Sequence, residues 1–205
     1  MSTTPTEESF DLTVVDVVEE IPDARSISFA VPPGLEERFA YRPGQFLTLA
    51  VPSERAGVVA RCYSLPSSPV DGGPLTITVK RTVNGYASSW LCERVAVGDT
   101  IRALPPSGTF TPASLSADLL MFAAGSWITP VASIIRTALQ AGTGRVVLFY
   151  ANPDGRSVIF AGALARLAAA HPERLVVVHW LESVHGLPGA SASAAGPCRS
   201  ATSSA

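Results

Sequence analysis

The stretch LLMFAAGSWITPVASII, residues 119–135, decides the architecture of this chain. It runs for 17 residues without a charge. A membrane-spanning helix needs about 20 apolar residues, and Gly125, Ser126, Thr129 and Pro130 fall in the middle of this one. A buried strand, a tight loop and a helix start account for it better. Leu119 to Ala123 is wholly apolar, as expected of a parallel strand covered on both faces. Thr129 and Pro130 read as an N-cap and a first helical residue. Val131, Ile134, Ile135, Ala138 and Leu139 then follow with the spacing of one helical face, and Gly142 and Gly144 end the helix.

Downstream, Arg145 to Tyr150 reads as a second strand, Ser157 to Ala170 as a helix, and Leu175 to His179 as a third strand. Alternation of strand and helix predicts an α/β unit with a parallel sheet. With three strands, that sheet is expected to leave an edge exposed. From Gly189 onward the composition changes. Residues 189–205 hold six alanines, five serines and two glycines, with no periodicity, and are expected to be a disordered tail.

Upstream, the pattern is of short strands: Leu12–Val18, Ser26–Val31, Phe46–Val51, Val58–Ser64, Leu75–Arg81 and Thr100–Leu104. Pro22-Asp23, Pro32-Pro33-Gly34, Pro43-Gly44, Asp71-Gly72-Gly73 and Gly98-Asp99 punctuate them. Strands of this length at this spacing suggest an antiparallel barrel or sandwich, interrupted by one helix at about Tyr86 to Arg94. Pro105-Pro106-Ser107-Gly108 reads as a linker. The division expected is a barrel over 10–112, an incomplete α/β domain over 113–188 and a tail over 189–205.

Composition narrows the function. With 47% apolar and 16% charged residues the chain can bury a core. Fifteen basic residues against 17 acidic ones, with no basic run, argue against nucleic acid. Cys62, Cys92 and Cys198 have neither zinc nor disulfide spacing. His171, His179 and His185 lack metal-ligand spacing. The start of the chain has no signal-peptide pattern. The expectation is a reduced, cytoplasmic protein without a bound metal or a membrane span. Trp90 and Trp180 read as core.

Three short segments carry chemistry. Arg61-Cys62-Tyr63-Ser64 lies in a strand, so Arg61 and Tyr63 share a face. An arginine fork suits phosphate, and a ring beside it can stack on a heterocycle. The ordinary alternative is a surface arginine beside a half-buried tyrosine. Gly85-Tyr86-Ala87-Ser88 opens a helix, whose free amides suit phosphate; the alternative is a plain turn. Gly125-Ser126-Trp127-Ile128-Thr129-Pro130 joins a parallel strand to its helix, where open α/β sheets bind ligands. The alternative there is a plain loop.

In this order and spacing the three segments resemble the ferredoxin–NADP reductase superfamily, over roughly Leu12 to Pro188. Its R-x-Y-S pattern is matched by Arg61, Tyr63 and Ser64, its G-x-x-S by Gly85 and Ser88, and its G-S-G-I-T-P by Gly125, Ser126, Ile128, Thr129 and Pro130. Within the superfamily the likeness is to the subgroup of 3-ketosteroid 9α-hydroxylase reductases and related bacterial oxygenase reductases. The resemblance implies a six-stranded antiparallel FAD-binding barrel followed by an NAD(P)H-binding α/β domain, incomplete here. Arg61 is then expected at the flavin diphosphate, Tyr63 on the flavin ring and Lys80 beside the cofactor. Gly85 and Ser88 are expected at the diphosphate, and Gly125, Ser126 and Thr129 around the nicotinamide. Ser64, at the reactive flavin edge, and Thr129 are the implied catalytic residues. The implied activity is NADH oxidation, NADPH being left open by Arg156. Electrons would pass through FAD to the iron–sulfur centre of an oxygenase or ferredoxin-type partner.

Three departures accompany the likeness. Trp127 replaces the middle glycine, where it is expected either to obstruct the nicotinamide or to stand in for it against the flavin. The family's C-G-P motif is not matched by Gly196, Pro197 and Cys198, and no C-x4-C-x2-C cluster spacing is present. The change at Gly189 is expected to reflect truncation or a frameshift, or else a native linker. The alternative to a working reductase is therefore a flavin-binding module without turnover, limited by Trp127 and the missing C-terminal segment.

Overall fold

The computed structural model describes residues 8–53 and 56–183. The first unit contains β1 (Phe10–Ile21), β2 (Ala24–Ala30), β3 (Phe46–Ser53), β4 (Gly57–Ser64), β5 (Leu75–Lys80), α1 (Tyr86–Arg94) and β6 (Thr100–Ser107). Their order in the sheet is β4-β3-β6-β1-β2-β5, every paired ladder being antiparallel. The outer strands β4 and β5 come against each other, which rolls the sheet into a barrel. Alternation explains the inside: Leu12 and Val14, Ile27 and Phe29, and Leu47, Leu49 and Val51 are all buried. α1 adds Leu91 to the same core.

The second unit contains β7 (Leu119–Ala124), α2 (Ile128–Ala141), β8 (Val146–Asn152), α3 (Ala161–Ala170) and β9 (Leu175–Leu181). Its strands are parallel in the order β7-β8-β9, with Leu119 opposite Val146 and Val146 opposite Leu175. The expected fold class, a six-stranded antiparallel barrel followed by a short parallel α/β unit, is the one observed. Residues 189–205, expected as a tail, lie outside the described residues, as does Cys198.

Four local expectations are corrected. Pro105 and Pro106 do not form a linker but lie within β6, which continues to Ser107. The ladder to β3 shifts register between Phe46 and Thr48, opposite this pair. Such an irregularity is where a strand tolerates residues without an N–H. Thr129 is not the N-cap of α2. A 3-10 turn over Gly125–Trp127 winds directly into the helix, so the helix begins at Ile128. Pro130 still falls in the first turn, where N–H groups have no helical partner. The second helix starts later than expected, at Ala161, because Phe160 takes a left-handed conformation (φ 64°) and its ring is buried. Trp90 packs against the barrel core, but Trp180 is 70% exposed and is not core.

Candidate functional site

β4 places the first group of residues. Val59, Arg61 and Tyr63 pair across the ladder with Val51, Leu49 and Leu47, the inward side of β3. On that side Val59 and Tyr63 pack against the barrel core, near the seam where β4 meets β5. Arg61 is exposed, and its Nη1 donates to the Ala60 carbonyl at 2.8 Å. It has no carboxylate partner among the described residues. Tyr63 is half-buried, and burial pushes its phenol up to about 12, with Arg61 pulling the other way. It is therefore a neutral ring at any ordinary pH.

The start of α1 faces this strand. The first helical bond runs from the Ser89 N–H to the Gly85 carbonyl, so the amides of Tyr86, Ala87 and Ser88 are left without a helical partner. No side chain caps this end and no acid lies in its first turn. Ser88 Oγ accepts from the Thr82 N–H at 3.0 Å and donates to the Gly85 carbonyl at 3.1 Å. Its hydroxyl shapes the turn, so what this end offers an anion is backbone. Gly85 is a close-approach glycine: a Cβ there would lie 2.7 Å from Ser88 Oγ and 3.0 Å from Thr82. Across the groove, Lys80 Nζ lies 3.6 Å from Asp23, a part-exposed pair of small energetic weight.

The β7–α2 turn closes the site from the second unit. Gly125 has φ +51° with open space where a Cβ would stand, so conformation rather than room selects glycine. Its carbonyl accepts from the Tyr150 hydroxyl at 3.0 Å. Tyr150 is fully buried, and burial raises its phenol to about 12. Thr129 Oγ1 donates to the Ser126 carbonyl at 3.0 Å. Trp127 has φ −65° and ψ −6°, ordinary helical values, and its indole is 76% exposed. Position 127 therefore makes no backbone demand for glycine, and only side-chain volume is at issue.

Together these segments enclose a cleft of about 410 Å³. Eight of the nine candidate residues line it: Arg61, Tyr63, Ser64, Lys80, Gly85, Ser88, Ser126 and Thr129. Gly125 is outside the lining and adjoins it through Ser126. Thr78 and Thr82, outside the three segments singled out from the sequence, line it too, as does Tyr86 within the second of them. A second, larger hollow of about 860 Å³ adjoins it, walled by Phe46, Phe110, Phe122, Phe149 and Trp180. Ser64, Trp127 and Pro130 belong to both walls. Trp127 thus stands on the partition.

The joint between the units holds this arrangement. Gly44 sits against the Phe110 carbonyl and Ile134 of α2. Ser133 Oγ donates to the Ser67 carbonyl at 2.6 Å. Ser68 Oγ lies 3.0 Å from Thr137 Oγ1 and donates to Gln140 Oε1 at 2.7 Å. Sequence reasoning missed this seam. Its signal was the pair Ser133 and Thr137, four residues apart on α2 and both buried.

The donor set fits a dinucleotide. One unpaired guanidinium, one ammonium and a run of free helix amides converge on a groove edged by a neutral ring. A barrel with such a groove at its seam, capped by the first strand–helix turn of a parallel sheet, is the arrangement of a dinucleotide-binding protein. Comparison with known families agrees: the oxidoreductase FAD-binding domain matches residues 11–111 and the oxidoreductase NAD-binding domain residues 121–191. The chain belongs to the ferredoxin reductase type of these oxidoreductases. It is 61% identical over 184 residues to the ferredoxin reductase component of 3-ketosteroid-9-alpha-monooxygenase from Rhodococcus rhodochrous, covering 90% of this chain and 52% of that protein. It is 31% identical over 166 residues to the reductase of an aromatic O-demethylase from an Amycolatopsis species, covering 78% of this chain and 48% of that protein. Among solved structures, an Amycolatopsis cytochrome P450 reductase superposes with a TM-score of 0.71 at 27% identity, covering 86% of this chain and 53% of that chain. The chain thus spans about half the length of the curated relatives it matches.

Proposed function

We propose that this chain binds FAD in the cleft between β4, β5 and α1, oxidises NADH, and passes electrons to the iron–sulfur centre of an oxygenase or ferredoxin-type partner. The observation that carries this reading is the convergence of eight candidate residues, from four separate segments, on one cleft. Such a flavin supplies the redox chemistry no side chain has, taking two electrons together and releasing them one at a time. The chain supplies binding, orientation and shielding.

In this reading Arg61 and the free amides of Tyr86 to Ser88 hold the diphosphate, with Lys80 adding positive charge. Charge-assisted bonds of this kind contribute about 1.5–3 kcal/mol each. Tyr63, whose neutral ring burial protects further, would hold the flavin ring. Ser64, which lines both hollows, would supply a hydroxyl near the reacting edge. Thr129 and Ser126 shape the wall on the nicotinamide side, and Tyr150 keeps the Gly125 turn in place. The division into 10–112 and 113–188 is proposed on the same grounds, as is a cytoplasmic location; no helix among the described residues is long and apolar enough to cross a membrane. Arg156, just past β8, leaves a 2′-phosphate acceptable, so NADPH is a second donor in this proposal.

One observation favours the alternative, a flavin-binding module with little turnover. The exposed indole of Trp127 stands where the nicotinamide would approach. Two absorbance measurements decide. Purified protein is expected to be yellow, and anaerobic NADH to bleach it. A colourless protein that takes up no FAD overturns the cofactor assignment. A yellow protein that NADH never bleaches leaves only the binding module.

A further inference from the structure

A hydrogen-bonded line runs across β1, β2 and β5 to the wall of the cleft. Ser26 of β2 and Thr78 of β5 stand directly opposite in the ladder, and their Oγ and Oγ1 atoms lie 2.8 Å apart. Both are almost wholly buried, at 5 and 4% exposure. Ser26 Oγ donates to Glu20 Oε1 at 2.6 Å. Glu20 reaches it from a bulge in β1: Glu19 pairs with Arg25 and Ile21 with Ala24, which leaves Glu20 as the extra residue. Bulges re-aim a side chain in this way. Among the described residues Glu20 makes no ion pair, so charge pairing does not explain its place. Thr78, at the other end of the line, is part of the cleft wall, whereas Ser26 and Glu20 line neither hollow. The next rung, Ser28 with Thr76 at 3.0 Å, ends on the Pro74 carbonyl and lines neither hollow. Of the two rungs, the one that reaches the cleft is the one anchored on a carboxylate.

That carboxylate sets the direction of the line. An ionised carboxylate only accepts, and a hydroxyl has one proton to give. Ser26 gives its proton to Glu20, so in the bond between Ser26 and Thr78 the donor is Thr78. Thr78 Oγ1 is left with lone pairs and no proton, which makes it an acceptor toward the cleft. We infer, on the FAD reading above, that Glu20 and Ser26 are positioning residues that lock Thr78 Oγ1 as the acceptor for an O–H or N–H of the flavin nucleotide. A hydroxyl whose polarity is preset does not have to be ordered when the cofactor arrives. Burial of Ser26 and Thr78 strengthens the bonds that fix it.

The test is FAD affinity, by fluorescence titration of the flavin-free full chain, with circular dichroism to confirm folding. Thr78→Val should weaken binding about three- to tenfold, the range of one neutral hydrogen bond. Glu20→Ala should weaken it about two- to fivefold, although Glu20 is outside the cleft. The sign is diagnostic, because charge alone predicts the reverse: removing an acid near an anionic diphosphate tightens binding. Glu20→Gln keeps an acceptor without the charge and should bind at least as well as the parent. Glu19→Ala, at the exposed neighbour, should not weaken binding. The Glu20→Ala, Thr78→Val double variant should bind no more weakly than Thr78→Val alone, since the two residues act through one atom. If Glu20→Ala does not fold, Ser26→Ala replaces it, with the same expected loss and the same non-additivity. A parent that takes up no FAD overturns the cofactor reading and this inference with it. In a parent that binds FAD, three results overturn the inference alone: unchanged or tighter binding in folded Glu20→Ala, a loss in Glu20→Gln as large as in Glu20→Ala, or losses that add in the double variant.

Discussion

Replacing Trp127 by glycine separates two ways in which a residue can matter, by its backbone and by its bulk. The backbone at this position is helical, at φ −65° and ψ −6°. Glycine adopts that conformation with an entropic cost of about 1 kcal/mol or less. The indole is 76% exposed, so its removal gives up little packing. The whole effect should then come from the volume freed on the partition between cleft and hollow. Hydride transfer requires reacting atoms about 3–3.5 Å apart, and a displacement of 1 Å can cost about a hundredfold. An indole at this wall is wide enough to impose such a displacement. Anaerobic rapid mixing with NADH, monitored by flavin absorbance at saturating FAD, should therefore show Trp127→Gly bleaching about a hundredfold faster than the parent. Because volume rather than conformation is at issue, Trp127→Ala should recover nearly the same gain. A parent that already reduces as fast as the variant would refute the steric argument. So would a gain from glycine without one from alanine, which would return the effect to the backbone.

Three other outcomes are expected. Arg61→Ala should weaken FAD binding by roughly 10–150-fold at low salt while leaving the melting temperature nearly unchanged, since the native side chain donates only to the Ala60 carbonyl; equal affinities in a fluorescence titration would remove Arg61 from the site. Gly125→Ala forces a side chain to φ +51°, a cost of roughly 1–2 kcal/mol, and should lower the melting temperature by roughly 2–8 °C; no change would mean the turn readjusts freely. Tyr41, Tyr63 and Tyr150 are each raised from 10.0 to about 12, chiefly by burial. Their folded values exceed the unfolded one, so the stability this gives is complete below pH 10 and is lost as pH rises toward 12; thermal melts across that window should fall steeply, less so in Tyr150→Phe, and a flat profile would show these phenols are not protected.

Much of this arrangement was legible because it rests on local signals. Apolar alternation in Leu47, Leu49 and Val51 and the apolar run from Leu119 reported strands. Gly125, left-handed and unconstrained by space, could be read as a turn glycine from sequence alone. What was not legible depends on the partner of a residue rather than on the residue. Pro105 and Pro106 look like punctuation until the register shift opposite them is known. Ser88 fits an anion-binding pattern, yet its hydroxyl is taken by Thr82 and Gly85. The start of α2 falls at Ile128 rather than Pro130 for a related reason: the preceding 3-10 turn, not a side-chain cap, initiates the helix.

The same limit explains Trp180. Strict alternation on β7, β8 and β9 gives both faces of the sheet an apolar composition, and apolar composition is the pattern of burial. Periodicity reports which residues share a face; it says nothing of whether a second layer is there. Among the described residues α2 and α3 supply one layer, and no element lies over the face with Phe122, Phe149 and Trp180. Its large exposed area adjoins the cleft through Trp127. Whatever covers it therefore also borders the wall along which a nicotinamide would enter. Coverage of the sheet and access to the cleft thus meet at Trp127, with Ser64 and Pro130 beside it on the shared wall.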